Sequence, residues 1–265
     1  MRTLLTLLLS ISLSSTALAG NSVYLEQIGT STDTTVNIDI DGNNNSINLS
    51  MEGTGNELDF KQEGNNNTIS WVSYWGSGKA WGGDIDGNNN TLKFEQYNTT
   101  GSDSNRIGFH MPGNSNELHI CQGATFSSST DTTCSGTTPN SEYGGHTVNL
   151  DVHANGNSIK VGQETGTGNA DHYAQIYYYG GDNNDTFLTQ KGNGNKTLNM
   201  IVRTDGGEQE LMQKGDGAHT ATIDLTGSYH TDMSMTQQGN TAQSYSLTQN
   251  CQTSGGCSVS VTQGN

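Results

Sequence analysis

Asn56-Glu57-Leu58-Asp59-Phe60-Lys61-Gln62-Glu63-Gly64-Asn65-Asn66-Asn67-Thr68-Ile69 is the stretch whose pattern sets the fold. Apolar and polar residues alternate, a glutamine closes the alternation, and a Gly/Asn run precedes the next apolar residue. Gly42, Gly53 and Gly64 stand eleven residues apart, as do Asn45, Asn56 and Asn67, and Ile47, Leu58 and Ile69. A unit so short cannot bury its own apolar face, so each must stack on its neighbours. Alternation is the period of a strand with one covered face. It puts Leu58, Phe60 and Gln62 on the side of Asn56 and leaves Glu57, Asp59 and Lys61 to water. A helical period of 3.6 fits none of these sets.

Similar arms end in Gln27, Gln96, Gln122, Gln163, Gln190, Gln213, Gln237, Gln249 and Gln263. Arms without glutamine mostly alternate with them, among them those built on Ile107 and Phe109, on Val148, Leu150 and Val152, and on Ile223 and Leu225. The pattern predicts an all-β fold over residues 20–265, a β-solenoid of about nine stacked strand-turn-strand layers with two arms each. Successive layers would lie about 4.8 Å apart. The inward glutamines, with Asn56 and Asn67, would then form ladders, each amide donating to one neighbour and accepting from the other. A buried amide without partners costs roughly 1–3 kcal/mol, which the ladder avoids. The Gly and Asn residues between arms tolerate the left-handed backbone needed to reverse the chain quickly.

Three segments interrupt the period. Residues 71–83 carry Trp71, Trp75 and Trp81, all the tryptophans of the chain. Residues 121–145 are rich in Ser and Thr and hold the first two cysteines, and residues 171–181 contain Tyr177-Tyr178-Tyr179. Insertions in a solenoid are rim loops; the tryptophans either shield the edge or offer a surface for sugar or adhesion.

Residues 1–19 read as a secretory signal peptide, with Arg2, an apolar run from Leu4 to Leu13, and Ala17-Leu18-Ala19 before Gly20. No other segment approaches the apolar run of a spanning helix. The expected location is outside the cell, associated with its surface. In an oxidising compartment Cys121, Cys134, Cys251 and Cys257 read as disulfides, since neither close pair has the C-x-x-C form of a zinc site. Three connectivities remain open, and proximity favours Cys121 with Cys134 and Cys251 with Cys257.

The net charge of −16 becomes −17 once Arg2 leaves with the signal. Such a surface repels nucleic acid and anionic lipid. The acidic turns Asp39-x-Asp41-Gly42 and Asp84-x-Asp86-Gly87 lack the six to eight oxygens of a calcium site. The seven histidines form no H-E-x-x-H pattern, and neither a nucleophile elbow nor a phosphate loop is found. No catalytic residue, cofactor or metal ligand is expected.

The unit from Asn56 to Asn67 resembles the curlin repeat of curli-type bacterial amyloid subunits. Asn56, Gln62, Gly64 and Asn67 occupy the positions matching that repeat, with Asn in place of its opening Ser. Gln190-x-Gly192-x-x-Asn195 matches next best; Gln163 with a longer turn to Asn169, Gln237-x-Gly239-Asn240 and Gln263-Gly264-Asn265 are partial copies. The resemblance implies export through an outer-membrane channel, nucleated assembly with copies of itself, and a role in adhesion or biofilm. A separate nucleator subunit would be a further partner. The chain departs from the family pattern in its cysteines, its insertions, its greater number of layers, and the lack of a Gly-rich segment before the first repeat. The other expectation is a monomeric surface solenoid that binds carbohydrate or another surface through the tryptophan insertion.

Overall fold

Twenty strands follow one another in the computed structural model, and no helix occurs among the described residues. The first nine are described by their backbone: β1 (Ser10–Leu13), β2 (Ser22–Gln27), β3 (Thr35–Ile40), β4 (Ser46–Met51), β5 (Glu57–Gly64), β6 (Thr68–Trp71), β7 (Gly83–Ile85), β8 (Thr91–Asn98) and β9 (Arg106–Phe109). Then come β10 (Glu117–Gln122), β11 (Thr147–Asn149), β12 (Ser158–Glu164), β13 (His172–Tyr173), β14 (Asp185–Lys191) and β15 (Lys196–Thr197). The last five are β16 (Glu208–Lys214), β17 (His219–Asp224), β18 (Thr231–Gln238), β19 (Gln243–Thr248) and β20 (Cys257–Gln263). Beyond these strands the structure describes residues 115–135, 146–166, 170–178, 180–203 and 205–264.

The strands form two parallel sheets. Sheet A runs β1-β3-β5-β8-β10-β12-β14-β16-β18-β20; sheet B runs β2-β4-β6-β9-β11-β13-β15-β17-β19, with β7 also on β4. The chain passes from one sheet to the other and back, which makes the molecule a β-solenoid. From β10 onward five strand pairs, β10–β11 through β18–β19, give about five turns before β20.

The eleven-residue period sets the early register. Leu58 lies opposite Val36 and Phe60 opposite Ile38, an offset of twenty-two, or two units per turn. Ile69 lies opposite Ile47 at the same offset. The tryptophan segment breaks one arm in its middle, since β6 pairs with Ser46 and Ile47 while β7 pairs with Leu49 to Met51 of the same strand. Later turns take 27, 23, 24 and 26 residues between successive ladder glutamines. The turn that carries the first disulfide takes 41.

Alternation buries one row from each sheet. Leu118 and Ile120, Ile159 and Val161, Leu188, Leu211, and Met233 with Met235 project from sheet A. They meet Val148, Leu150 and Val152, Ala174, Ile176 and Tyr178, Leu198, Met200 and Val202, and Ile223 with Leu225 from the sheet B side. Within residues 171–178, part of the stretch expected to interrupt the period, β13 pairs with β11 and β15 in sheet B. Ala174, Ile176 and Tyr178 alternate inward, and the run of three tyrosines had obscured that parity.

Both favoured disulfides are present, Cys121–Cys134 and Cys251–Cys257. The first holds a loop against the outer face of sheet A, where Phe126 meets Phe187 edge-on at 6.5 Å. Gly162 lies beneath it, and a Cβ there would sit 2.9 Å from Thr125 Cα, so only glycine admits the loop. Residues 136–145 of this excursion lie outside the described residues. Ser10–Leu13, inside the expected signal peptide, pairs with β3 as the outermost strand of sheet A.

Candidate functional site

Sheet A strands place a glutamine at the same register in successive turns. Gln122, Gln163, Gln190, Gln213 and Gln237 are fully buried. Gln122 Nε2 donates to Gln163 Oε1 at 3.1 Å, Gln163 to Gln190 at 2.8 Å, Gln190 to Gln213 at 2.9 Å, Gln213 to Gln237 at 2.8 Å and Gln237 to Gln263 at 2.7 Å. The other N–H crosses the core to a sheet B carbonyl. It reaches Tyr173 from Gln190 at 2.8 Å, Thr197 from Gln213 at 2.9 Å, Thr220 from Gln237 at 3.0 Å and Ser244 from Gln263 at 3.1 Å. A carbonyl can only accept, so a flipped amide would set oxygen against oxygen. Sheet B thereby fixes the direction of the ladder, with every donor aimed at the next turn toward the C-terminus.

A second amide row opens the same strands. Asn157 N and Nδ2 both donate to Asn116 Oδ1 at 3.0 Å, and Asn184 N donates to Asn157 Oδ1 at 2.8 Å. Gly207 takes the next place and donates its N–H to Asn184 Oδ1 at 3.0 Å. At the corners Asp182, Asp205 and Asp216 accept backbone N–H groups from Asn155, Asp182 and Asn193 of the turn before. Turn N–H groups that no strand can pair are satisfied this way. The turn glycines two residues after the ladder, Gly192, Gly215 and Gly239, have φ between 94° and 118°, where a side chain would be strained.

Sequence parity located six of the expected ladder residues, Gln122, Gln163, Gln190, Gln213, Gln237 and Gln263, in this row. By backbone register Gln62 lies opposite Gln96, and Gln96 opposite Gln122. Gln27 does not belong to the row: it ends β2 of sheet B, opposite Met51. Gln249 is likewise displaced, following β19 in sheet B, where its backbone N–H bonds Asp224. Both close an alternating arm, but an arm of the other sheet. Asn56, Asn67, Trp75 and Trp81 lie outside the described residues, and Trp71 is placed only by register, opposite Phe109. The rows built on Asn116, Asn157 and Asn184 were not named in advance; each stands six residues before its ladder glutamine, as Asn56 stands before Gln62.

The outward rim of sheet A carries acids in register. Glu117, Ser158, Asp185 and Glu208 follow one another, and Glu208 N donates to Asp232 Oδ1 at 3.1 Å. Partial burial raises the Asp185 carboxyl above the usual range, Lys160 opposes this, and Glu117 adds to it. Lys191 Nζ pairs with the buried Glu164 carboxylate at 2.8 Å, and His119 Nε2 meets Glu117 at 2.9 Å. The last turn is the least covered. Tyr245, Leu247, Val259 and Val261 are packed against the core yet only partly buried, because β19 and β20 are the outer strands of their sheets.

No family model, curated protein or solved structure matches the chain. Fold and site define a parallel two-sheet β-solenoid with a directional amide ladder.

Proposed function

We propose that the chain is an exported structural subunit that stacks end to end, about nine layers per copy, into curli-like extracellular fibres for adhesion or biofilm. In this reading the glutamine ladder begins at Gln62 and runs through Gln96 to Gln263, since β3 places Ile40 opposite Gln62. The observation that carries it is the β19–β20 end. There a strand edge, four half-covered apolar residues and the Gln263 amide stand where each inner turn meets its neighbour. An unpaired edge of this kind templates further strands. Parallel winding makes the contact head to tail, the β19–β20 end of one copy meeting the first layer of the next. A head-to-tail contact does not close on itself and produces a filament. The partners are other copies, a nucleator subunit and an outer-membrane secretion channel. The experiment is thioflavin-T fluorescence with electron microscopy on oxidised residues 20–265 at micromolar concentration. Sigmoidal growth into unbranched fibres that seed fresh monomer is the expected result. A β-rich monomer that never seeds would replace this reading with a surface adhesin.

A further inference from the structure

Opposite the amide ladder, the sheet B arms open with a column of a different kind. His172 lies opposite Lys196, Lys196 opposite His219, and His219 opposite Gln243. His146 continues the column above, one residue before Thr147, which lies opposite Tyr173. His146, His172, Lys196 and His219 are at most 1 % exposed. The side chains of His172, Lys196, His219 and Gln243 tie the core to turns next to sheet A. His172 Nε2 meets the Glu164 carbonyl at 3.2 Å, His219 Nε2 the Lys214 carbonyl at 2.8 Å, and Gln243 Nε2 the Gln238 carbonyl at 2.9 Å. Lys196 Nζ donates to the carbonyls of Gly215 at 2.8 Å and Gly217 at 2.9 Å, and also to that of Gly194.

The two upper rings stack at 4.9 Å with 20° between their planes. The backbone N–H of His172 donates to Nδ1 of His146 at 3.3 Å, which requires a lone pair on that nitrogen. A protonated His146 cannot accept this bond. The charges facing the column come from several elements. Lys196 is adjacent on the next turn, Asp216 offsets Lys196 from its corner, Asp171 precedes His172, and the Glu164 carboxylate is already paired with Lys191. Burial raises the Tyr173 phenol, next to His172, above its ordinary value.

We propose that this column is an acid-sensitive latch: protonating His146 and His172 sets like charges one layer apart beside Lys196 and opens the middle arms of sheet B. The glutamine ladder of sheet A has no titrating group and stays closed over the same range. Burial, then Lys196, holds His172 down to about 4. Burial, then His172, holds His146 well below its ordinary value, and burial lowers His219 as well. The unfolded value is about 6.5. Between about 6.5 and 4 the unfolded chain thus binds more protons than the folded one. The stability that neutral histidines maintain is complete above about 6.5 and falls away as pH drops toward 4. This inference concerns the fold of one copy and is independent of whether copies polymerise.

The test is amide hydrogen exchange on the whole chain between pH 7 and about 4.5, expressed as protection factors, with H146Q/H172Q alongside. Glutamine is the substitute because Gln243 already fills the next place in the column with an equivalent bond. The Ala174 and Leu198 amides, which bond Thr147 and Tyr173 across sheet B, should lose about tenfold protection or more in the parent chain. Sheet A amides should change little, and the double variant should keep its sheet B protection. Equal losses in parent and variant, or equal losses in both sheets, would overturn the latch. If the variant does not fold, histidine proton resonances of the parent chain decide. Rings at 146 and 172 that stay neutral until sheet B protection is lost uphold it, and rings that titrate near 6.5 with sheet B intact refute it.

Discussion

Sheets A and B are wound from one chain at one layer spacing, yet they solve the same problem differently. From β10 to β20 every strand of sheet A spans six to eight residues. In sheet B, β11, β13 and β15 span three, two and two, and only β17 and β19 reach six. The middle arms of sheet B bend through left-handed backbone at Asp151, His153, Tyr177, Tyr178, Met200 and Arg203. Such residues are strained and need surrounding contacts to hold them. From β10 to β20 sheet A puts one side chain, glutamine, at one place, so each amide is satisfied by an identical neighbour. Sheet B fills the equivalent place with His, Lys or Gln, each reaching a turn carbonyl of its own. Uniform chemistry makes a surface that any further layer can continue; varied chemistry locks particular turns and leaves them open to protons.

Breaking the sheet A solution should cost most. Gly215→Val places a Cβ 2.5 Å from the Gly239 carbonyl at a φ of 94° and should cost about 4 kcal/mol or more, enough to lose cooperative unfolding in a urea titration. Gln213→Leu leaves Gln190 Nε2, Gln237 Oε1 and the Thr197 carbonyl without their partner, and should cost about 3 kcal/mol by the same titration. Reducing Cys121–Cys134 frees a loop that only one face of sheet A holds. Limited proteolysis should then cut between Gly123 and Ser135, with a loss of about 2–3 kcal/mol and the ladder intact. If the acids in register along sheet A delay assembly, raising salt from about 0.05 to 0.5 M should shorten the lag of fibre growth severalfold. A lag indifferent to salt would remove that role. Thr222→Ala, on the exposed face of sheet B, should stay within about 0.5 kcal/mol of the parent.

The same contrast explains what was legible in the sequence. Alternation and a constant residue at a constant register expose sheet A, and Leu118, Ile120 and Gln122 are readable as one inward row from the sequence alone. Parity states which face a residue takes but not which sheet it belongs to, and Gln27 and Gln249 were misplaced for that reason. The titrating column escaped because its chemistry changes from turn to turn. A signal was nonetheless present: Lys196, His219 and Gln243 each follow a ladder glutamine by six residues. His172 breaks that spacing because the turn after Gln163 is three residues longer. Tyr178 was hidden by the aromatic residues on either side, although it is fully buried and its hydroxyl bonds Thr186.

The most direct measurement is seeded elongation of preformed fibres by Val261→Lys monomer, with the parent monomer as control. Val261 is half-covered on the outermost strand of sheet A, so the charge should leave the inner turns folded while blocking the face proposed to receive the next copy. Head-to-tail stacking predicts a circular dichroism spectrum like the parent's and little or no elongation. Folded Val261→Lys monomer that extends the fibres at the parent rate would contradict end-to-end assembly through this face.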